Sequence, residues 1–190
     1  MTYIELIVVL SIFSVMSAII IFNYGLFQAR IDIKNLASDI ALKFVEAQRA
    51  SLSGNLPPLA QQAQITSSWK PSYGVYLNPV SDNKSFIYFA DLDQNSNLIN
   101  PDCSGVAECL DKISITKGNT ISSLNVFYQN STSAPLNDLT VTFVRPNSAA
   151  VIKSTTPLNP NILYVQATIL SPRSPTATIK VYPSGRIQVN

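Results

Sequence analysis

Residues 1–22, MTYIELIVVLSIFSVMSAIIIF, form a nearly unbroken apolar stretch in which Glu5 is the only charged residue. As an α-helix, residues 4–22 would be roughly 28 Å long, close to the hydrocarbon thickness of a bilayer. A carboxylate in such a segment costs on the order of 2.5–3.5 kcal/mol near the membrane centre, and near its end it still needs a partner. The nearest candidate partner is a positively charged amino terminus, from the same chain or from a neighbouring copy.

Two other interpretations of this stretch are a secretory signal peptide and a plain membrane anchor. A signal peptide needs a basic region before its apolar core, but the first basic residue of this chain is Arg30. A plain anchor explains the length of the stretch and leaves Glu5 without a role. An assembly helix, whose apolar surface and single acid both meet other copies, accounts for both features.

The stretch resembles the amino terminus of the type IV pilin superfamily, which comprises type IV pilins and the pseudopilins of type II secretion. The pattern TxIELIVVL follows the processing site in that family, and it is matched here by Thr2, Ile4, Glu5 and residues 6–10. The family's mature chain begins four residues before the glutamate, a position occupied here by Met1. The resemblance therefore implies processing by prepilin peptidase and N-methylation at Met1, unless Met1 is an initiator. It covers residues 1–54 well and the remainder loosely.

The resemblance implies a structural subunit and not an enzyme. Such a pilin leaves the inner (cytoplasmic) membrane with the help of the pilus assembly machinery and polymerises into an extracellular type IV pilus for adhesion, twitching motility or DNA uptake. Glu5 would accept a charge-assisted hydrogen bond from Met1 of an adjacent copy and fix the axial register. The alternative is a minor pilin or a type II secretion pseudopilin at a filament tip, which binds DNA through its basic C-terminal sheet. DNA and a host surface are the candidate partners outside the filament.

The expected fold is α+β: the pilin fold, in which a long N-terminal helix packs on an antiparallel β-sheet. Residues 1–25 are the transmembrane or filament-core half of this helix, residues 26–54 its amphipathic half, and residues 55–190 a globular β-rich head domain. The amphipathic half has apolar residues at helical spacing, namely Ile33, Leu36, Ala37, Ile40 and Phe44. Gly54 predicts the end of the helix. Gly25 predicts a weak point or a short extended segment inside it.

Beyond the helix, β-branched and aromatic runs bounded by Pro, Gly, Asn and Ser predict strands. These runs are residues 73–77, 85–90, 113–117, 121–128, 139–145, 162–170, 176–182 and 186–189. Residues 139–145 alternate apolar residues with threonine, as expected of a half-buried antiparallel strand.

The composition excludes several classes of enzyme. The chain has 190 residues without a histidine, which removes the usual general base and the commonest metal ligand. Charged residues make up only 13%, and there are 12 prolines. No constellation of carboxylates or lysines along the chain indicates catalysis.

The two cysteines, Cys103 and Cys109, are close in sequence. In an exported chain such a pair favours a disulfide that closes one loop, and the alternative is a pair of free thiols. No histidine or further cysteine is present to complete a zinc site with them.

The segment from Asp91 to Asn97 has oxygen-bearing side chains at alternate positions, as a calcium loop does. Asp91, Asp93 and Asn95 are the candidate calcium ligands, and calcium is the candidate cofactor. The segment lacks the glycine at the sixth position and the glutamate at the twelfth that define an EF-hand loop. The alternative interpretation is an Asx-rich turn without a metal.

Charge is distributed unevenly along the chain. All 11 acidic residues lie at or before Asp138, whereas five of the 13 basic residues follow it: Arg145, Lys153, Arg173, Lys180 and Arg186. This asymmetry predicts contact with an anion or a nucleic acid, and the alternative is solvated charge scattered over strands. Few aromatic residues alternate with these bases along the chain, which argues against a stacking platform for single strands.

Overall fold

The computed structural model describes residues 2–63, 65, 70–98, 103, 108–146 and 148–190. Its longest element is the helix α1 (Tyr3–Ser53), which has 51 residues. Thr2 caps its first turn. Gly54 ends it, as predicted, in the left-handed conformation with φ at 61°. Glycine accepts this conformation because it has no Cβ.

The predicted weak point at Gly25 is wrong, because α1 continues through this residue as a regular helix. A glycine inside a helix costs only about 1 kcal/mol relative to alanine, which does not by itself break the hydrogen-bond ladder. Gly25 instead allows a close approach by the head. The guanidinium group of Arg173 lies where a Cβ at Gly25 would be.

Within the described residues, a short helix and ten strands follow α1. They are α2 (Leu59–Gln62), β1 (Ser72–Asn78), β2 (Asp82–Asp91), β3 (Cys109–Ser114), β4 (Thr120–Tyr128), β5 (Ser133–Leu136), β6 (Leu139–Val144), β7 (Ala149–Lys153), β8 (Ile162–Leu170), β9 (Thr176–Val181) and β10 (Ile187–Val189). The sequence pattern missed β5 and β7, and it placed β3 about four residues too late. Both missed strands are short and lie at the edge of their sheets, where β-propensity is a weak guide.

The strands form two antiparallel sheets, where the sequence pattern predicted one. Sheet A has the order β3-β2-β1-β6-β7, and sheet B has the order β10-β9-β8-β4-β5. All of the strand pairs are antiparallel. A long N-terminal helix on antiparallel sheets is compatible with a pilin fold, and the predicted α+β class is confirmed.

The second half of α1 packs against both sheets and closes the main core. Ile33, Ala37, Ile40, Phe44 and Ala47 are at most 1% exposed and contribute the helix face of this core. The alternating residues of the strands supply the opposite face, as the period of two requires. Four of the five helix residues predicted from the apolar spacing are buried, and the fifth, Leu36, packs against the core while partly exposed.

The side chain of Gln48 in α1 forms hydrogen bonds to both sheets. Gln48 Nε2 donates hydrogen bonds to the carbonyl oxygens of Ser148, before β7 of sheet A, and Gly185, between β9 and β10 of sheet B, at 3.2 and 3.1 Å. The backbone N–H of Ala150 in β7 also donates to the carbonyl of Pro183 at 3.0 Å. The edges of the two sheets therefore meet beside α1.

Residues 92–98 cover the outer face of sheet A. Leu98 packs with Ile87 and Phe89 of β2 in a second, smaller apolar cluster. In β6, the hydroxyl of Thr140 donates to Asn97 Oδ1 at 3.1 Å, and the hydroxyl of Thr142 donates to the Ser96 carbonyl at 3.3 Å. Parts of β2 and β6 are therefore buried on both faces.

Candidate functional site

The first half of α1 projects away from the head as an exposed apolar rod. Every large apolar side chain that the structure describes between Tyr3 and Phe27 is exposed, and Ile7, the least exposed of them, is still 46% exposed. The helix contains a segment that is long and apolar enough to cross a membrane, and none of that segment is buried in the chain. Because an apolar surface of this size is unfavourable in water, a bilayer or other protein must cover it.

Glu5, the one acid on this rod, closes a capping box with Thr2. The backbone N–H of Thr2 donates to Glu5 Oε2 at 2.8 Å, and the backbone N–H of Glu5 donates to Thr2 Oγ1 at 3.4 Å. Thr2 and Glu5 have the threonine-x-x-glutamate spacing of a capping box, which was readable in the sequence and gives Glu5 a local role. Met1 lies outside the described residues, so the predicted pairing of Glu5 with Met1 of another copy stays a prediction.

Three carboxylates converge where the β2–β3 hairpin opens. Asp91 ends β2, Glu108 immediately precedes β3, and Asp93 lies two residues beyond Asp91. One oxygen from each of the three lies within 4.8 Å of the others. Asp91 is 1% exposed and Glu108 is 2% exposed, whereas Asp93 faces solvent. These three residues form the acidic cluster.

Backbone N–H groups donate to two members of the acidic cluster. Asp91 Oδ2 accepts the backbone N–H of Ser96 at 3.0 Å, and Glu108 Oε1 accepts that of Leu92 at 2.8 Å. The pKa of Asp91 is raised to about 7, chiefly by burial; the Ser96 N–H opposes this rise, and the neighbouring Asp93 and Glu108 contribute to it. The charged form of Asp91 is therefore unfavourable without a cation nearby.

The predicted calcium ligands are partly together. Asp91 and Asp93 belong to the acidic cluster, but the side chain of Asn95 is engaged in turns, because its Oδ1 accepts the Asn97 N–H at 2.6 Å and its Nδ2 donates to Asp93 Oδ2 at 2.5 Å. Glu108 was not predicted as a ligand. It is distant in sequence, and only the register of β2 and β3 brings it to Asp91.

The predicted disulfide between Cys103 and Cys109 is confirmed, with a Cα–Cα distance of 5.3 Å. Cys109 is the first residue of β3 and follows Glu108 directly. The disulfide therefore anchors the returning end of the β2–β3 loop beside the acidic cluster.

The five basic residues beyond Asp138 lie in four different places. Lys180 and Arg186 share the outer face of sheet B. Arg145 Nη2 donates to the Lys70 carbonyl at 3.5 Å, Lys153 donates to the Asn95 carbonyl, and Arg173 lies over Gly25 of α1.

The outer face of sheet B carries an aromatic row flanked by cations. The ring of Phe127 stacks on that of Tyr164 with centroids 4.7 Å apart, and Tyr164 contacts Tyr182 at 5.5 Å. Lys180 Nζ lies 4.9 Å from the Tyr164 centroid, and Arg186 Cζ lies 3.8 Å from the Tyr182 centroid. Since these rings come from neighbouring strands, the row does not show as an alternation of aromatic and basic residues along the sequence.

The described residues thus present an exposed apolar rod, an acidic cluster and an aromatic–cationic face. No protein-family model, curated protein or solved structure matches the chain. Function is therefore inferred from the chemistry of these three features.

Proposed function

We propose that this chain is a structural subunit of the type IV pilin superfamily, and that it polymerises through the first half of α1 into an extracellular filament. The observation that carries the proposal is the exposed apolar rod with a single acid near its tip. Before assembly the rod would lie in the cytoplasmic membrane. After extraction the same surface would pack against other copies, so that apolar contacts replace lipid.

Glu5 would set the register between neighbouring subunits. Its Oε2 atom holds the Thr2 amide, but a carboxylate has about four acceptor positions and can receive further donors. The amino group of Met1 from a second copy is the donor that the resemblance implies. In the dry interior of a helix bundle, a misregistered subunit would leave this charge unpaired, at a cost of several kcal/mol.

The test combines one substitution of Glu5 with a matched control at Thr2, and it separates the charge of Glu5 from its role in the capping box. Glu5→Gln keeps a side chain able to close the capping box but removes the charge, which weakens the intersubunit bond by about 1.5–3 kcal/mol. We expect at least tenfold fewer filaments in sheared surface fractions, counted by negative-stain microscopy and identified by mass spectrometry.

Thr2→Ala is the matched control, because it removes the threonine hydroxyl from the capping box and leaves the carboxylate. Its filament yield should stay near that of the unchanged chain, and circular dichroism should show a folded head in both variants. Normal filament numbers in Glu5→Gln, or an equal loss in Thr2→Ala, would contradict the assembly role of the charge.

A second candidate function is binding of DNA at the filament tip, as a minor pilin or a pseudopilin would provide. It is favoured by the aromatic–cationic face, where Phe127, Tyr164 and Tyr182 offer stacking surfaces between Lys180 and Arg186. Stacking on aromatic rings and pairing of phosphates with cations are the two contacts that single-stranded nucleic acid uses.

The test for this function measures DNA affinity by fluorescence anisotropy at several salt concentrations, with the full chain in detergent. The double variant Lys180→Gln/Arg186→Gln should weaken binding about tenfold and lower the salt slope by about two. Lys34→Gln/Lys84→Gln removes equal charge from exposed positions elsewhere and should retain the affinity. Binding that does not depend on salt would refute this function.

A further inference from the structure

We propose that the acidic cluster of Asp91, Asp93 and Glu108 is a calcium-binding site at the open end of the β2–β3 hairpin. The site is separate from the exposed apolar rod, and the proposal is independent of filament assembly. It differs from the ligand set that the sequence pattern predicted, because Glu108 takes the place of Asn95.

A buried oxygen without a partner points to a missing ligand. Asp91 Oδ1 is inaccessible to solvent and accepts no hydrogen bond among the described residues. Asp91 itself is 1% exposed, and the two other carboxylates each bring an oxygen within 4.8 Å. Because an unpaired polar atom is costly to bury, a protein that keeps one gains stability when a cation fills the gap.

Neither Asp91 nor Asp93 forms an ion pair with a lysine or arginine of the described residues. Lys153 donates to the backbone carbonyl of Asn95 in the same loop. A bound cation would neutralise the mutual repulsion of the three acids and join both ends of the loop.

The donor set favours calcium among the metals. Among the described residues it comprises three carboxylates, and hard cations prefer oxygen ligands. The two nearby sulfur atoms are joined in a disulfide and the chain has no histidine, so a site of the zinc type lacks its ligands. Calcium accepts six to eight oxygens in irregular geometry, and Asp93 at the surface leaves room for water molecules to complete the shell.

Isothermal titration calorimetry on the full chain in detergent, after treatment with EDTA, tests the proposal. With calcium chloride we expect one site with a Kd of roughly 10⁻⁴–10⁻³ M, the range of extracellular calcium modules. Calcium should also raise the Tm of the head. Magnesium chloride should bind at least tenfold more weakly, because magnesium demands regular octahedral geometry.

Variants connect the binding to these residues. Asp93→Asn and Glu108→Gln should each raise the Kd for calcium at least tenfold, and Asp93 is exposed, so its substitution leaves the fold intact. Asp111→Asn is the matched control, since Asp111 is an exposed acid on the neighbouring strand β3; its Kd should not change. Absence of heat at 10 mM calcium, unchanged binding in Asp93→Asn, or equal affinity for magnesium would overturn the assignment.

Discussion

Asp91 lies where burial and two neighbouring acids all disfavour a negative charge. Its Oδ2 accepts a hydrogen bond from the Ser96 N–H, and its Oδ1 is buried without a hydrogen-bond donor among the described residues. In the absence of a cation this residue therefore lowers the stability of the head. The same arrangement makes the stability of the head depend on whether a hydrogen-bond donor or a cation reaches this oxygen.

Asp91→Asn should consequently stabilise the chain in EDTA. An asparagine oxygen can still accept the Ser96 N–H, while its NH₂ group can donate to Asp93 or Glu108 in place of the repulsion. We expect a gain of about 1–2 kcal/mol, equivalent to a Tm roughly 2–8 °C higher for a chain of this size. Thermal melts followed by circular dichroism measure this, with Asp93→Asn as the exposed comparison. A lower Tm for Asp91→Asn in EDTA would contradict the account.

At the level of single elements, the two halves of α1 were the most predictable part of the fold. Unbroken apolar residues predict an exposed or membrane-spanning half, and apolar residues at helical spacing predict a packed half. The outcome at Gly25 could not be predicted in this way, because its neighbour Arg173 is 148 positions away in sequence. The conformational freedom of a glycine allows a break in a helix but does not require one.

The division into two sheets and the acidic cluster could not be predicted from the sequence either, for the same reason. Each depends on which strands become neighbours, and periodicity along one strand contains no such information. Asp91 and Asp93 were recognisable as oxygen ligands from their spacing. Glu108 joins them only because β2 and β3 pair in antiparallel register near Phe89 and Cys109.

The turn between β9 and β10 provides a test at the scale of elements. Gly185 has a φ of 85°, and a Cβ there would overlap the carbonyl oxygen of Ser148. Gly185→Ala should therefore cost about 1–2 kcal/mol for the left-handed backbone and about 1–3 kcal/mol more for the forced displacement. It should also disturb the hydrogen bonds of Gln48 to both sheets. Chemical denaturation of the full chain in detergent measures the loss.

Gly118→Ala is the matched comparison for this turn. Gly118 has a similar φ of 72°, but its Cβ would meet only the ring edge of Pro172, at 2.9 Å. Gly118→Ala should lower the free energy of unfolding by about 1–2 kcal/mol, which is the cost of the left-handed backbone alone. Equal losses in the two variants would mean that close packing against Ser148 contributes nothing.

For the whole molecule, the apolar rod and the head are physically different parts of one chain. Burial of α1 against the head begins at Ala29, and the described large apolar side chains before it are exposed. The surface that requires lipid or other copies is thus confined to one end. The head covers most of its own apolar residues with the second half of α1 and the two sheets.

Removal of residues 1–28 should therefore give a monomeric, folded head in buffer without detergent. The core residues of α1 from Ile33 onward all remain, so near-UV circular dichroism should match that of the full chain. Size-exclusion chromatography with light scattering should give a single monomer. Large aggregates of the shortened chain would show that the head has another unsatisfied apolar surface, and a loss of near-UV signal would show that the first half of α1 supports the fold.

The hydrogen bonds of Gln48 have a mechanical consequence. They join sheets A and B to one point on α1, and the helix runs without interruption from that point to its exposed end. Twisting the head about the helix axis would break both bonds together. A partner that binds the exposed end of α1 therefore also fixes the rotation of the head about the helix axis. The direction in which the rings of Phe127, Tyr164 and Tyr182 face is fixed with it.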